Sequence, residues 1–428
     1  MGRSGRTLAV LAIAAGAIAV PAWPALAVTP ISPPTITAPL GGTGPYPVGS
    51  TVTFTFSEDG AGTPAAYRYS VNDGKTRTVT APSGSASVQV FIPERQTQTL
   101  QAWAVAADGS VSGPTLDEFV ATLSPPAADK DLTGDGVPDL LTVGDPAGLG
   151  PGLWLAAGEA APGLAAKGRV RTPAVDIGIN GDDTSIPGSP SDWDGAQVVT
   201  GQFTGGGFQD LLVYFPGGND AGGGVLLDGT GDGSALQPVA NYGVDVSAGT
   251  LSDVNGDNPL QVVNAYGSIY GTGLPDLLAT SGDPVNGYYL DYYDEFVPGL
   301  FNSTFSIRTA TPDGTDDWDQ WTLATADGSG GIGMFLWNQG TGALYLWNGV
   351  TFTDNGDGTG DISYTQYELS ANWYKGQPLA TLEAADLDGR AVPGLWAVTP
   401  GGTATAYAFS DLSATGLAKV TAGKRQQL

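Results

Sequence analysis

The chain has 428 residues, including 65 Gly and 31 Pro, so about a fifth of its positions break regular structure and a mostly helical protein is excluded. Its 41% of hydrophobic residues are too many for a disordered chain, and its formal net charge of -27 disfavours binding to nucleic acid or to anionic membranes. The absence of Cys and His excludes disulfides, thiol nucleophiles, Ser-His-Asp triads and the usual zinc sites.

Residues 1–27 have the organisation of a secretion signal. Arg3 and Arg6 precede an apolar run over 8–20, and Ala25-Leu26-Ala27 supplies the small residues of a cleavage site. The alternative, a membrane anchor, is disfavoured because the run is shorter than the roughly 20 residues of a spanning helix. We therefore expect a secreted, extracellular protein without membrane insertion.

Short alternating runs of polar and apolar residues follow the signal. Residues 28–45 are dense in Pro and Gly and are expected to form a linker into a first strand. Runs with a period of two then lie at 51–56, 66–71, 86–91 and 99–105. They predict an antiparallel β-sandwich over 28–123, with Trp103 in its core. The stretches 67–74 and 102–109 resemble bacterial extracellular immunoglobulin-like (Ig-like) modules.

Residues 124–428 contain one unit repeated five times, each with a strand, a turn and a second strand. The first strands begin 71, 66, 58 and 60 residues apart. Such a unit cannot bury both faces alone, so a ring of units, a β-propeller, is predicted; a β-solenoid is disfavoured because its coils are much shorter. The paired segments are 140–143 with 152–155, 211–214 with 224–227, 277–280 with 288–290, 335–337 with 343–346, and 395–398 with 404–409.

The acidic residues are concentrated in this repeated part. Residues 124–428 hold 36 of the 43 acidic residues, and 32 of those 36 are Asp. Because Asp favours turns and cation-binding loops whereas a solvated helical face favours Glu, the bias indicates loops.

The loop before the first hairpin has the ligand spacing of a calcium site. Asp131, Thr133, Asp135 and Asp139 place oxygen ligands at positions 1, 3, 5 and 9, and Val137 adds its backbone carbonyl at position 7. An EF-hand is excluded because its twelfth position would be a bidentate Glu, and a dockerin loop is excluded because this loop runs into a β segment. The spacing predicts bound Ca2+ between two strands.

This loop and the repeated hairpins together resemble the FG-GAP repeats of integrin α-subunit propellers and their bacterial relatives, also called VCBS repeats. The resemblance covers about 300 residues of the chain. It implies an all-β fold, an Ig-like sandwich followed by an FG-GAP-type β-propeller, with Ca2+ in loops between strands. It also implies adhesion or ligand binding.

The other units depart from the calcium pattern. The second unit, 202–210, keeps only its last Asp, and the fourth, 325–333, is eroded. The third has two candidate loops, 253–257 and 268–276, and the fifth places Arg390 where a third ligand belongs. The candidate ligands retained from these units are Asp253, Asn255, Asp257, Asp386 and Asp388.

Aromatic and acidic clusters admit two interpretations. The pairs Asp192/Asp194 and Asp317/Asp319 flank tryptophans and could be glycosidase dyads, but their recurrence in the repeat favours an architectural role. The aromatic residues at 288–296 and 337–347 could stack on sugar rings, although packing between units explains them better. The Asp-rich segment 354–361 predicts a hairpin turn.

Three functions remain open. The leading hypothesis is a secreted, calcium-stabilised and monomeric propeller that binds an extracellular glycan or protein. The second is a carbohydrate-active enzyme, a lyase or glycosidase, against which the absence of His, Cys and an isolated catalytic constellation argues. The third is a spacer that displays a further C-terminal domain.

Overall fold

The computed structural model describes residues 31–39, 44, 46–47, 50–71, 76–92, 96–122, 127–159, 168–177, 190–203, 207–229, 231, 237–238, 245–253, 255–271, 273–297, 300–328, 331–389 and 392–428. The fold is all-β. Within these ranges the helical segments are α1 (Gly144–Ala147) and the 3-10 turns Pro190–Trp193 and Trp318–Gln320, and none is long enough to cross a membrane. The predicted signal 1–27 and the predicted boundary between residues 123 and 124 lie outside the described residues.

The N-terminal part forms two sheets that pack face to face. Their strand orders are β1-β3-β6 and β2-β8-β7-β4-β5. The strands are β1 (Thr35–Thr37), β2 (Tyr46–Pro47), β3 (Thr51–Ser57), β4 (Ala66–Val71), β5 (Arg77–Thr80), β6 (Ser85–Phe91), β7 (Gln96–Val105) and β8 (Thr115–Thr122). Alternate residues such as Phe54, Phe56 and Phe119 are fully buried between the sheets. The four predicted strands are confirmed, and β1 shows that part of the expected linker pairs with β3 instead.

Trp103 was expected in the core of this sandwich and is only half-buried. Its neighbours Ala102 and Ala104 are fully buried, and side chains alternate between the two faces of a strand. Trp103 therefore lies on the outer face of β7, where it is opposite Arg68 of β4. The expectation was wrong because the alternation along β7 points the small residues Ala102 and Ala104, and not Trp103, into the core.

The remaining strands form five sheet units, and each predicted hairpin is confirmed as an antiparallel pair. Units three and four join into one eight-stranded sheet through a short parallel pairing of their last strands, β20 and β24. The strands are β9 (Leu140–Val143), β10 (Leu153–Ala156) and β11 (Val175–Asp176); β12 (Gln197–Gly201), β13 (Asp210–Phe215), β14 (Gly223–Asp228), β15 (Gln237–Pro238) and β16 (Asp245–Val246); β17 (Gln261–Asn264), β18 (Leu277–Asp283), β19 (Gly287–Val297) and β20 (Leu300–Ile307); β21 (Trp321–Gly328), β22 (Gly331–Asn338), β23 (Leu344–Asp354) and β24 (Thr359–Ser370); β25 (Thr381–Ala385), β26 (Gly394–Val398), β27 (Thr403–Ser410), β28 (Lys419–Ala422) and β29 (Gln426–Gln427).

The five units close into a propeller-like ring. The innermost strands β9, β12, β17, β21 and β25 contact one another in a cycle, with β9 touching both β12 and β25. A separate hydrophobic core fills each space between neighbouring units, including the space between the fifth and the first. In that last core Leu140 of β9 packs with Trp396 of β26. The ring leaves a tunnel along its axis.

Candidate functional site

The predicted calcium loop, residues 131–139, folds around the buried carboxylate of Asp131. Its Oδ1 accepts hydrogen bonds from the backbone N–H groups of Gly134 at 2.7 Å and Asp135 at 3.1 Å, and its Oδ2 accepts one from Gly136 at 2.8 Å. Gly136 has a φ of 79°, a left-handed conformation that favours Gly. The glycines of the motif therefore make the tight wrap possible.

Asp139 closes the same loop from its other end and is fully buried. Its Oδ2 accepts hydrogen bonds from the N–H groups of Leu132 at 2.8 Å and Thr133 at 2.9 Å, and its Oδ1 accepts one from Gly158 at 2.6 Å. Burial raises the pKa of Asp139 to about 6, although these three hydrogen bonds oppose the rise. The side chain thus connects the loop to the strand across the hairpin.

The donor types of this loop fit a hard cation, whereas the observed contacts are mostly internal. Asp135 Oδ1 accepts from the N–H of Val137 at 3.0 Å, and its Oδ2 lies 3.2 Å from Arg171. Among the described residues no three acidic side chains come close enough together to hold a metal ion. Burial also raises the pKa of Asp131, so the loop contains two desolvated carboxylates.

The last Asp of the motif recurs in the next two units with the same structural role. Asp210 Oδ1 accepts from the N–H of Gly229 at 3.1 Å. Asp276 Oδ2 accepts from the N–H of Ile269 at 3.1 Å and from the Tyr292 hydroxyl at 2.9 Å. A position that the sequence assigned to metal binding therefore anchors a loop in three units.

The candidate loop 253–257 of unit three is not the counterpart of 131–139. The loop 131–139 leads directly into the hairpin β9–β10, and it lies at the end of the ring where each hairpin begins, which we call the loop end. The loop 253–257 leads into β17, which runs toward the loop end before the hairpin β18–β19 begins. Asp253 Oδ1 accepts from the N–H groups of Asn255 at 2.8 Å and Asp257 at 2.9 Å, and its Oδ2 accepts from the Tyr289 hydroxyl. The loop 253–257 thus lies at the far end of the ring.

In the fifth unit the loop end carries Asp386 and Asp388. Asp386 Oδ1 accepts from the N–H groups of Gly389 at 2.6 Å and Asp388 at 3.3 Å. Arg390, expected to displace a ligand, lies outside the described residues. This loop shows an Asp-centred turn like that of Asp131.

The tunnel forms a cavity of about 460 Å³ that is enclosed by the five inner strands. Hydroxyl and amide side chains alternate there with aliphatic ones. The polar lining residues are Thr142, Gln197, Thr200, Gln261, Asn264, Thr280, Thr322, Thr325 and Thr381. Exposed residues, Leu260, Asp319 and Gln339 among them, line its far end, and Lys130 and Glu383 line its interior. Sequence reasoning identified none of this lining.

Two glutamines join neighbouring inner strands. Gln197 of β12 donates to the Leu260 carbonyl at 2.8 Å and accepts from the Val262 N–H at 3.0 Å. Gln261 of β17 repeats this on β21, where it donates to the Leu323 carbonyl at 2.7 Å and accepts from its N–H at 2.9 Å. The repeated strings Gln197-Val-Val-Thr200 and Gln261-Val-Val-Asn264 were the sequence signal for this pairing.

Where the first and fifth units meet, a buried ion pair takes the place of the glutamine links that join β12 to β17 and β17 to β21. Lys130 Nζ lies 3.7 Å from Glu383 Oε1 and 3.2 Å from Thr200 Oγ1, and Glu383 Oε2 accepts from the Leu141 N–H at 3.2 Å. Lys130 has a φ of 60°, which is uncommon outside Gly and marks a locally constrained backbone. Burial raises the pKa of Glu383 to about 7, against the opposing effect of Lys130.

The tryptophans between paired acids are structural. Trp193 and Trp318 are fully buried, and Trp318 Nε1 donates to the Thr309 carbonyl at 2.9 Å. Trp373, which lies between Asn372 and Tyr374, is nearly fully buried too. They lie in cores between units, which agrees with the architectural interpretation of the Asp-Trp-Asp strings. The segment 354–361 forms the predicted turn between β23 and β24.

No family model matches the chain, and no curated protein matches it. The resemblance to FG-GAP repeats therefore rests on the loop 131–139 and the repeated hairpins of this chain alone.

Proposed function

We propose that this protein is a secreted binding module that recognises an extracellular glycan at the far end of its tunnel. The observation that carries the proposal is the tunnel lining, in which threonine hydroxyls line walls that are otherwise aliphatic. A neutral ligand rich in hydroxyl groups matches such a surface. The volume of about 460 Å³ falls within the usual range for small-ligand sites.

The charges inside the tunnel support a neutral ligand over a charged one. Lys130 and Glu383 lie 3.7 Å apart, so among the described residues of the interior the ionised form of Glu383 offsets the charge of Lys130. Strands, rather than loops, carry the threonines, the two glutamines Gln197 and Gln261, and the asparagine of the lining. Such preorganisation reduces the entropic cost of binding.

A glycan array screened with the purified mature chain tests this proposal. Thr322 is half-buried and lines the tunnel, so Thr322→Tyr fills the space and is expected to abolish retention of any glycan that binds. Thr351→Tyr, at an exposed position of β23 in the same unit, is the matched control and should bind like the unaltered chain. Retention that is equal for both variants, or absent with every glycan, contradicts the proposal.

We propose further that Ca2+ binds the loop 131–139 and stabilises the first unit. The support is the resemblance to FG-GAP loops and the donor set of Asp131, Thr133, Asp135 and Asp139 with the Val137 carbonyl. Asp131 and Asp139 are at least nine-tenths buried, and a cation would offset the charge they place there. With a Kd of roughly 10 to 100 µM and about 1 mM extracellular calcium, one site contributes about 1.4 to 2.7 kcal/mol.

One observation favours a second candidate, a carbohydrate-active enzyme. Glu383 lines the tunnel with a pKa raised by burial to about 7, which suits a general acid at neutral pH. Turnover of a polysaccharide that is lost in Glu383→Gln, with the fold intact by circular dichroism, would establish this candidate. Binding without turnover leaves the binding module as the function.

A further inference from the structure

A second cavity of about 350 Å³ lies at the loop end of the ring. We call it the loop-end cavity. It is lined by side chains of three units together with the segment that enters the first unit, among them Asp129, Gln202, Gln209, Asn264, Tyr266 and Asp327. It is separate from the loop 131–139, whose residues do not line it.

The hydrogen-bond donors around this cavity are engaged within the protein. The Tyr266 hydroxyl lies 3.0 and 2.9 Å from the two carboxylate oxygens of Asp129. Asn264 Nδ2 donates to the Thr200 carbonyl at 2.8 Å, and Gln202 Nε2 donates to the Ala127 carbonyl at 3.1 Å. These contacts use the Tyr266 hydroxyl and one N–H of each amide within the protein.

Acceptors, in contrast, remain available. Gln209 is 97% buried, with 3% of its surface exposed, and within the described part of the chain nothing donates to its Oε1. A buried amide oxygen without a partner costs about 1 to 3 kcal/mol of stability, and a ligand that contacts this oxygen would offset that cost. Asp327 is exposed at the same cavity, and no hydrogen bond to its carboxylate is found among the described residues.

The Asp129 carboxylate lies beside the backbone of Asp327. The backbone N–H of Asp327 donates to the Asp129 carboxylate, which ties β21 to the segment before the first unit. Lys130, which partly offsets the charge of Asp129, directs its Nζ into the tunnel toward Glu383. The loop-end cavity thus combines excess negative charge with oxygen acceptors.

From this arrangement we infer that the loop-end cavity binds a hard divalent cation, Ca2+ in the extracellular medium, through Asp129, Asp327 and Gln209 Oε1. Oxygen-only ligation by carboxylates and an amide carbonyl is the preference of Ca2+. A neutral sugar fits less well, because it needs donors as well as acceptors. With two carboxylates rather than three or four, the expected Kd is about 10⁻⁴ to 10⁻³ M, as in other extracellular modules.

Titration of the full mature chain with Tb3+, followed by displacement with Ca2+ and by calorimetry with Ca2+ alone, tests the inference. Asp135→Asn serves as the background, because it weakens the proposed loop site and leaves the cavity untouched. In that background we expect a remaining site whose affinity falls at least 10-fold in Asp327→Asn and in Gln209→Leu. Asp327 is exposed, so its replacement does not endanger folding.

Two results would overturn the inference. One is a remaining affinity that is unchanged by both cavity substitutions. The other is the absence of any Ca2+ binding in the Asp135→Asn background while the unaltered chain binds one ion. Because the glycan proposal depends on Thr322 at the far end of the tunnel, either result leaves it unaffected.

Discussion

Asp139, Asp210 and Asp276 show how much structure a single carboxylate can organise. Each is at least 99% buried, with 0%, 1% and 0% of its surface exposed, and each accepts backbone N–H groups that would otherwise be buried without partners. The sequence identified the importance of this position, because an Asp before two leucines repeats. It could not separate a cation ligand from a loop anchor, because both need the same buried oxygen.

Substituting two of these residues separates the two roles. Asp139→Asn and Asp210→Asn each turn an accepting oxygen into a donor that faces an N–H group, so each is expected to lose about 2 kcal/mol of unfolding free energy. Only Asp139→Asn should also lose the part of the Ca2+-induced rise in melting temperature that comes from the loop 131–139. Thermal unfolding in excess Ca2+ and in chelator measures both effects. If the unaltered chain has the same melting temperature in excess Ca2+ and in chelator, the proposed loop site is contradicted.

The pH dependence of stability reports on Glu383. Its pKa rises from 4.5 unfolded to about 7 folded because burial penalises the carboxylate, while Lys130 opposes the rise and Asp129 and Asp139 add to it. The folded state then holds more protons between these values, so this group lowers stability as pH rises from about 4.5 to about 7, by about 3 kcal/mol. Glu383→Gln should flatten that slope in urea unfolding at several pH values. An identical slope in both chains would show that the folded Glu383 titrates normally.

At the scale of single strands, the hairpins were predictable and the inner strands were not. Leu211 of β13 packs toward the first unit and Leu212 toward the third, so both faces of the strand are apolar and the pair stands out in the sequence. Strand β17 faces the tunnel with Gln261 and Asn264, and this mixture of polar residues reads as a loop. Trp103 shows the converse: its size and apolar character predicted a core position, but it lies on the outer face of β7.

The glutamine links between inner strands contribute measurably to the free energy of unfolding. Gln261→Leu keeps the side-chain volume and removes both hydrogen bonds to Leu323, so we expect a loss of about 1 to 3 kcal/mol in unfolding free energy. Gln89→Leu, at an exposed position of the sandwich strand β6, is the matched control and should change stability by less than about 0.5 kcal/mol. Equal losses of unfolding free energy in the two variants would contradict a stabilising link through Gln261.

For the whole molecule, closure of the ring is the property on which the tunnel depends. Five units were detectable from the spacing of the hairpins, but neither the total number of units nor closure could be read from the sequence, because closure is set by contacts between residues far apart in the chain. Lys130 and Glu383 belong to no sequence motif, and Thr142 and Thr381 have nothing in the sequence that distinguishes them from other threonines in strands. Their hydroxyl oxygens nevertheless lie 2.6 Å apart across a separation of 239 residues.

That contact provides the most direct test of the closed ring. The chain has no Cys, so Thr142→Cys with Thr381→Cys introduces one defined pair, and side chains this close permit a disulfide. Under mild oxidation we expect nearly complete cross-linking, seen as a loss of two hydrogens by mass spectrometry and as faster migration on a denaturing gel. Thr142→Cys with Thr351→Cys, on an outer strand, should stay reduced as the control. Two free thiols in the first pair, in folded protein under the same oxidant, would contradict closure between the first and fifth units.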